Sequence, residues 1–314
     1  MTAPRSPFPD PIEGLFPFGT ICTLAGASGV GKTTLYASWI KRWLDGSTIC
    51  GHKSACPADI GILVGDRRWQ SHRQWLDVAG VADDPRVKHY SLRDDELFEW
   101  NDLRLWPKVL PLFTKAVRQL DLRPGSHLIV DPLALWIPGK VNDYKDVAIG
   151  LGTLDRVIKS LDLSMLAIFH QSKQIADKSQ QYKRPQDRIL GSAAQIGFSD
   201  TAMYLLGPED LDTPYYGFGA VPHNAMSETW KFTRDGWGLF VPYTDAEDLD
   251  SIEVVFDQIP IDPYGASVGQ ILHRIEEKKV QIARRTVFLC LKKLTTDGRL
   301  IQPKRGQYVR RPTS

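Results

Sequence analysis

A glycine-rich segment near the amino terminus has the residue types that hold a chain of phosphates. Its residues, Gly26-Ala27-Ser28-Gly29-Val30-Gly31-Lys32-Thr33, fit the P-loop pattern G-x-x-x-x-G-K-[ST]. Glycines let successive backbone N–H groups surround phosphate oxygens, and the amino end of the following helix adds partial positive charge. Lys32 is expected to reach the β- and γ-phosphates, and the Thr33 hydroxyl to ligate Mg²⁺. The segment from Gly26 to Thr34 is therefore predicted to bind ATP with Mg²⁺.

A carboxylate later in the chain fits the same site. Asp131 ends the apolar run HLIVD (127–131), which is typical of a central strand in a parallel sheet. The carboxyl end of such a strand lies beside the P-loop, where Asp131 would hold the water shell of Mg²⁺. The alternative is that Asp131 only caps the turn before Pro132. Thr33 and Asp131 are the predicted metal ligands.

The elements that would position these residues alternate between strands and helices. Apolar runs predict strands at 21–26, 60–65, 87–92, 127–131, 165–170, 201–206, 228–234 and 237–241. Amphipathic spacing predicts helices at 35–44, 69–80 and 143–161 and within 97–120. Strands that alternate with helices predict an α/β fold with a mostly parallel sheet covered on both faces.

Composition excludes several classes of protein. The chain has 314 residues, 42% of them hydrophobic, which is enough to fold around a core without disulfides. Four scattered cysteines favour the reducing cytoplasm. No apolar run reaches the roughly 18–20 residues of a membrane span, and the proline-rich amino terminus lacks the apolar core of a signal peptide. The cluster Cys50, His52 and Cys56 lacks the ligand number and spacing of structural zinc.

Charge divides the chain into a mildly acidic body and a basic end. Residues 265–314 hold 12 Lys and Arg against 3 Asp and Glu, whereas residues 1–264 hold 27 against 34. Such asymmetry indicates a polyanionic partner, nucleic acid first. We predict an irregular lead-in at 1–18, an ATPase domain at 19–242, an acidic linker at 243–264 and a DNA-binding domain at 265–314.

The basic end has the pattern of a winged helix. Helical spacing at 267–279 and 284–298 is followed by two alternating stretches within 299–311. The residues that would meet duplex DNA are at the start of the second helix and at the tip of the wing: Arg284, Arg285, Thr286, Lys304 and Arg305. Winged helices also bind proteins, but the charge of this segment favours DNA.

With these motifs in view, the chain resembles the RecA-like ATPases, and among them the RepA-type hexameric replicative helicases of plasmids and phages. The stretches that carry the resemblance are LFPFGTICTLAGASGVGKTTL (15–35), SHLIVDPLALW (126–136), FHQSK (169–173) and ILGSAAQIGFSDTAMYL (189–205). The resemblance implies a hexameric ring of identical subunits, with ATP between protomers and single-stranded DNA in the channel. That family generally lacks a winged helix, so the basic end suggests a protein that also finds a DNA site.

The resemblance also implies roles near the γ-phosphate. Gln171, or His170 beside it, matches the polar residue that senses this phosphate. The family has a glutamate at the end of the second strand to orient the attacking water, whereas this chain has Gly65 there and Asp66 one residue later. Asp66 would serve as a shorter substitute, or it only caps the turn.

Two further groups follow from the same resemblance. Lys231 and Arg234 match a cationic pair that reaches into the neighbour's nucleotide site, although they are spaced one residue wider; otherwise they are edge-strand charges. The loop 171–189 matches the loop that grips single-stranded DNA in the ring, through residues that include Lys183, Arg184 and Arg188. A basic surface loop without this role is the alternative.

Together these features predict an ATP-dependent DNA motor of a bacterial mobile element, which separates strands when replication begins. The alternative is an ATPase that does not unwind DNA but oligomerises on it and recruits a replication or transposition enzyme. A P-loop kinase for small molecules would leave the basic end without a purpose.

Overall fold

The computed structural model divides the chain into two compact units, Met1–Pro242 and Tyr243–Ser314. The residues that the structure describes are 7–66, 68–95, 106–137, 139, 143–170, 199–208, 215–223, 226–243, 255–260, 265–277, 284–304 and 307–311. Among them, only the backbone is described at 106–108, 170, 284–286 and 288–289.

The first unit is built on one nine-stranded sheet. Its strands are β1 (Ile21–Gly26), β2 (Ile60–Val64), β3 (Val87–Ser91), β4 (Ser126–Asp131), β5 (Leu163–His170), β6 (Thr201–Leu206), β7 (Tyr216–Pro222), β8 (Glu228–Arg234) and β9 (Phe240–Pro242). They lie in the order β3-β2-β4-β5-β1-β6-β7-β8-β9. The first six strands of that order are parallel, and β7, β8 and β9 extend the sheet as antiparallel strands. The predicted α/β core with a mostly parallel sheet is confirmed.

Helices cover both faces of this sheet, as the alternation of strands and helices predicts. They are α1 (Lys32–Asp45), α2 (Trp69–Ala79), α3 (Trp106–Gln119) and α4 (Tyr144–Ser160), with a short 3-10 helix at Leu133–Trp136. Successive side chains of β2 point to opposite faces. Ile62 and Val64 pack in the core beneath α1 and α2, and Leu63 packs in the core beneath α3 and α4. The strand ends are therefore held rigidly between two helical layers.

The sequence prediction of this unit was incomplete in two places. It missed β7, and it placed the last strand at 237–241, whereas β9 is Phe240–Pro242 because a tight turn takes up the preceding residues. In the predicted lead-in, the described residues from 7 onward form no regular element, but Ile12, Leu15 and Phe16 are fully buried in the core.

The second unit contains two helices and a small antiparallel sheet. Its elements are β10 (Ala266–Ser267), α5 (Val268–Glu277), α6 (Arg284–Thr296), β11 (Leu300–Lys304) and β12 (Gln307–Arg310), with the strands in the order β10-β12-β11. Val255 and Ile259 are buried in the core of this unit. Residues 255–259 of the predicted linker over 243–264 pack with α5 and α6 through their apolar side chains. The domain boundaries stay a prediction. A winged-helix identity stays a prediction.

Across the described part of the chain, none of the helices combines the length and the apolar composition that crossing a membrane requires.

Candidate functional site

The P-loop connects the end of β1 to the start of α1, as predicted. Two of its glycines are required by space and backbone geometry. A Cβ on Gly26 would lie 2.8 Å from the carbonyl oxygen of Leu205 on β6, too close for any side chain. Gly31 precedes α1 with a φ of 107°, in the left-handed region that favours glycine. The loop therefore makes a tight turn between β1 and α1.

Lys32 and Thr33, the first two residues of α1, lie at the bottom of this turn. The Lys32 side chain is buried, and its Nζ donates hydrogen bonds to the carbonyl oxygens of Gly26 at 2.8 Å and Ala27 at 2.9 Å. The Thr33 hydroxyl lies 3.5 Å from Oδ2 of Asp131, which is buried at the end of β4. A hydroxyl and a carboxylate are the oxygen ligands that Mg²⁺ prefers. The predicted metal ligands are thus brought together from distant parts of the sequence.

A cavity of about 180 Å³ opens above these residues, at the carboxyl edge of the parallel strands. Binding sites of open α/β sheets lie at this edge. The cavity is lined by residues of the P-loop and α1, of α2 and of three strand ends: Gly29, Gly31, Lys32, Thr33, Thr34, Asp66, Ser71, His72, Trp75, Asp131 and Arg234. Ser28 is exposed at the tip of the loop, and Val30 is buried beneath it. The site therefore combines cationic and hydroxyl groups with a carboxylate that could hold a metal ion.

A buried layer of polar side chains supports Asp131 from the helix side. The Tyr36 hydroxyl on α1 lies 2.6 Å from Nδ1 of His72 on α2, and that Nδ1 lies 3.9 Å from Oδ2 of Asp131. Burial, and then the charge of Asp131, raise the pKa of the Tyr36 phenol well above its usual value. Tyr36 thus stays protonated and able to donate. Neither residue could be predicted as a site residue, because the spacing of each is typical of the buried face of an amphipathic helix.

The end of β2 departs from the pattern that the resemblance implies. A Cβ on Gly65 would overlap Cδ1 of Leu135 and lie 3.5 Å from Cδ1 of Leu92, so this position faces an apolar surface. Asp66, one residue later, lines the cavity. Its backbone oxygen accepts a hydrogen bond from Nε of Arg93 at 2.8 Å. Asp66 is thus the carboxylate that the loop after β2 presents to the cavity.

The structure separates the two cations predicted to act together. Lys231 is exposed on β8, with its Nζ 4.6 Å from the centre of the Tyr215 ring. Arg234, at the end of β8, lines the cavity and donates a hydrogen bond from Nη2 to the Val30 carbonyl at 3.3 Å. The resemblance implied a reach into a neighbouring subunit, whereas Arg234 lies on the P-loop of its own chain.

Several predicted residues cannot be placed in this site. Gln171, Lys183, Arg184, Arg188 and Arg305 lie outside the described residues, as do the side chains of Arg284, Arg285 and Thr286. Lys304 is exposed at the end of β11. Among the residues that are described, no group of three or more His, Cys, Asp or Glu side chains could hold a metal ion.

Three solved structures are similar to this chain at low sequence identity. An ATPase domain has a TM-score of 0.49 and 14% identity over 72% of this chain and 85% of that one. A DnaB-like replicative helicase, described with its interactions with primase, has a TM-score of 0.49 and 15% identity over 72% and 58%. A KaiC-like protein from Pyrococcus horikoshii OT3 has a TM-score of 0.45 and 14% identity over 77% and 99%.

No curated protein matches the chain in sequence. The AAA domain family AAA_25, in contrast, matches residues 1–176. This match covers more than half of the 314 residues and includes the P-loop, Asp66 and Asp131. The chain therefore belongs to the AAA domain family and is a P-loop ATPase.

Proposed function

We propose that this protein is an ATP- and Mg²⁺-dependent DNA motor, an oligomeric replicative helicase or initiation ATPase of a mobile element. The observation that carries the nucleotide part is the convergence of Lys32, Thr33 and Asp131 on one cavity. These residues come from the P-loop, α1 and the end of β4, and they supply a cation, a hydroxyl and a carboxylate. This donor set matches a nucleoside triphosphate with its magnesium.

Different residues of this chain have different proposed roles at the site. The N–H groups around Gly29 and Gly31 hold the phosphate oxygens, and Lys32 exchanges the carbonyls of Gly26 and Ala27 for the β- and γ-phosphates. Thr33 and Asp131 would hold Mg²⁺, and this ion would supply positive charge against the charge that develops on the phosphates. Asp66 orients the attacking water, and Gln171 hydrogen-bonds the terminal phosphate.

DNA is the proposed second ligand. Single-stranded DNA would contact the loop that contains Lys183, Arg184 and Arg188, and duplex DNA would contact the second unit through a winged helix. For the duplex contact we propose Arg284, Arg285, Thr286, Lys304 and Arg305. The support is the 12 basic against 3 acidic residues in 265–314. A hexameric ring of identical subunits, with ATP between protomers in the cytoplasm, completes the proposal.

A second function is favoured by one observation at β2. Gly65, where a helicase of this kind has its water-orienting glutamate, faces Leu135 and Leu92 instead of the cavity. An ATPase that relies on the shorter Asp66 is expected to hydrolyse slowly. Slow hydrolysis suits a protein that oligomerises on DNA and recruits a replication or transposition partner without unwinding.

The first experiment tests nucleotide binding and its link to DNA. The Lys32→Ala variant is expected to lose binding of a fluorescent ATP analogue by at least about tenfold, since it removes the charge that meets two phosphates. Light scattering with and without the analogue measures self-association of the variant and the parent. A Lys32→Ala protein that binds nucleotide, self-associates and engages DNA like the parent would overturn the proposal.

The second experiment separates the two functions. A helicase shows ATP hydrolysis stimulated by single-stranded DNA and displaces a labelled strand from a forked duplex. A recruiter hydrolyses slowly, prefers duplex and keeps its DNA binding when Asp66 is changed to Ala. Absence of any DNA binding by the full chain would contradict both.

A further inference from the structure

Arg234 is a partly buried cation without an acidic partner among the described residues. Its guanidinium lies on the wall of the nucleotide cavity, and Nη2 donates one hydrogen bond, to the Val30 carbonyl at 3.3 Å. Its Nε is buried and has no hydrogen-bond partner within the same part of the chain. A guanidinium has five N–H donors, and the Val30 carbonyl is the one acceptor that the described residues offer them.

The β8–β9 hairpin holds this guanidinium in place. The central carbon of the Arg234 guanidinium lies 5.1 Å from the centre of the Tyr216 ring on β7 and 5.4 Å from the centre of the Phe240 ring on β9. The Phe240 N–H donates to Oγ of Ser38 on α1 at 3.3 Å, which ties β9 to the helix that follows the P-loop. Oδ1 of Asp235 accepts hydrogen bonds from two N–H groups of the turn. The side chain is thus positioned by its own fold.

The P-loop has a glycine at the position where the Arg234 guanidinium approaches it. A Cβ on Gly31 would overlap Nη2 of Arg234 and lie 3.1 Å from the Phe240 ring. Two conditions therefore require glycine at position 31: the positive φ of the loop and the close approach of this guanidinium. Such a fit is made within one chain.

A positive charge removed from water is unfavourable unless an anion compensates it. The anion for which this cavity has its other donors is a polyphosphate, beside Lys32 and the P-loop N–H groups. We propose that Arg234 binds the phosphates of the nucleotide held by its own chain, as a ligand in cis. The inference rests on the proposed nucleotide binding, and it differs from the resemblance, which implied that Arg234 acts on a neighbour's nucleotide.

The first test is equilibrium binding. Titration with a fluorescent ATP analogue and Mg²⁺ is expected to give a Kd at least about tenfold weaker for Arg234→Gln than for the parent, because two charge-assisted hydrogen bonds are lost. Arg118→Ala, which removes an exposed arginine on α3, is the control and keeps the parental Kd. Arg234→Lys retains the charge without the fork and is expected to give an intermediate Kd.

A second readout needs no hydrolysis and reports on folding. Pyrophosphate with Mg²⁺ is expected to raise the thermal midpoint of the parent and to raise that of Arg234→Gln less. The midpoints without ligand show whether the variant is folded. A parent that binds no nucleotide overturns the proposed function. A parent that binds, with Arg234→Gln binding equally well, overturns the inference alone.

Mixing two variants decides between cis and trans action. The Lys32→Ala variant keeps Arg234 but lacks the P-loop lysine. The Arg234→Gln variant keeps the P-loop lysine but lacks Arg234. If Arg234 acts in cis, mixed oligomers contain no intact site, and ATP hydrolysis stays at the level of the separate variants. Recovery of hydrolysis on mixing would show that one subunit supplies Arg234 to another and would overturn the inference.

Discussion

Gly65 illustrates how one residue can shift the chemistry of a site. It stands where the resemblance implied a glutamate, and the space for a side chain there is taken by Leu135, with Leu92 behind it. A carboxylate at position 65 would be buried against leucines, away from the cavity. Under the proposed function, the water-orienting role would therefore fall to Asp66, which lines the cavity.

Restoring the glutamate is therefore expected to fail. Gly65→Glu should lower the free energy of unfolding by about 1–3 kcal/mol, because it displaces Leu135 and buries a charge, and it should not accelerate ATP hydrolysis. Urea denaturation and a phosphate-release assay measure the two effects. Gly65→Ala, with a single added carbon, is the control and should cost less. Faster hydrolysis by Gly65→Glu would contradict this account of β2.

His127 on β4 makes stability depend on pH. It is fully buried near the rings of Phe16 and Trp43, and burial lowers its pKa to about 3. Between that value and the unfolded pKa of about 6.5, the unfolded chain binds one proton more than the folded chain. The free energy of unfolding therefore falls as the pH falls through this window, by about 1.4 kcal/mol per pH unit from this group.

His127→Leu is expected to reduce that slope by this amount below a pH of about 6 and to leave it unchanged above a pH of about 7, since leucine does not titrate. Urea midpoints at several pH values between about 7.5 and about 5, which span the unfolded pKa, give the slope for the variant and the parent. Equal slopes for His127→Leu and the parent would show that His127 is protonated in the folded state.

At the scale of elements, α2 forms one wall of the site and depends on a cap from outside the helix. It presents Ser71, His72 and Trp75 to the cavity. The N–H of Trp69, its first residue, donates to Oδ2 of Asp94 at 3.0 Å, and this hydrogen bond lowers the pKa of Asp94. A carboxylate that accepts at a helix amino terminus also interacts favourably with the helix dipole.

Loss of this cap is expected to be measurable. Asp94→Ala should lower the free energy of unfolding by about 1 kcal/mol at neutral pH and weaken nucleotide binding, because the start of α2 loosens. Asp83→Ala is the control. It removes an aspartate whose side chain is 86% exposed in an ion pair with Arg73, and it should cost less than about 0.5 kcal/mol. Equal losses would mean that Asp94 acts only through surface charge.

At the scale of the whole molecule, the second unit begins before the basic segment. It comprises residues 243–314, which hold 12 basic and 10 acidic residues, so its net charge is +2 rather than the +9 of 265–314. One of these acidic side chains forms an ion pair within the unit, since Oδ1 of Asp257 lies 3.2 Å from Nη2 of Arg310. The guanidinium groups of Arg299 and Arg310 also lie 4.1 Å and 4.4 Å from the centre of the Phe256 ring. These two arginines stabilise the unit and are poor candidates for DNA contacts.

The core of this unit can be weakened by itself. Ile259→Ala should lower the stability of the second unit by about 2–4 kcal/mol, since the side chain is 2% exposed. Limited proteolysis should cleave residues 243–314 faster, while nucleotide affinity stays at the parental value. Ile301→Ala, at an isoleucine that is 43% exposed, should be near neutral. Parallel loss of nucleotide affinity would mean that the two units fold as one.

The sequence could predict the P-loop, β1 and β4 because glycine spacing and continuous apolar runs are local signals. It could not predict β7, since Gly217 and Gly219 make YGFGAVP look like a turn. The structure explains Gly219, because a Cβ there would overlap the Tyr204 ring. The approach of His72 to Asp131, and the contact of Arg234 with Val30, depend on the order of strands in the sheet, which no local pattern contains.

Trp75 on the wall of the cavity has a practical consequence. Its indole packs against the β8–β9 hairpin, where a Cβ on Gly238 would lie 3.4 Å from the ring. An anion that enters beside Arg234 changes the electric field at this chromophore. The emission of the unlabelled protein should therefore respond to ligand occupancy, and Trp75→Phe should abolish that response, which would provide an optical assay without any attached dye.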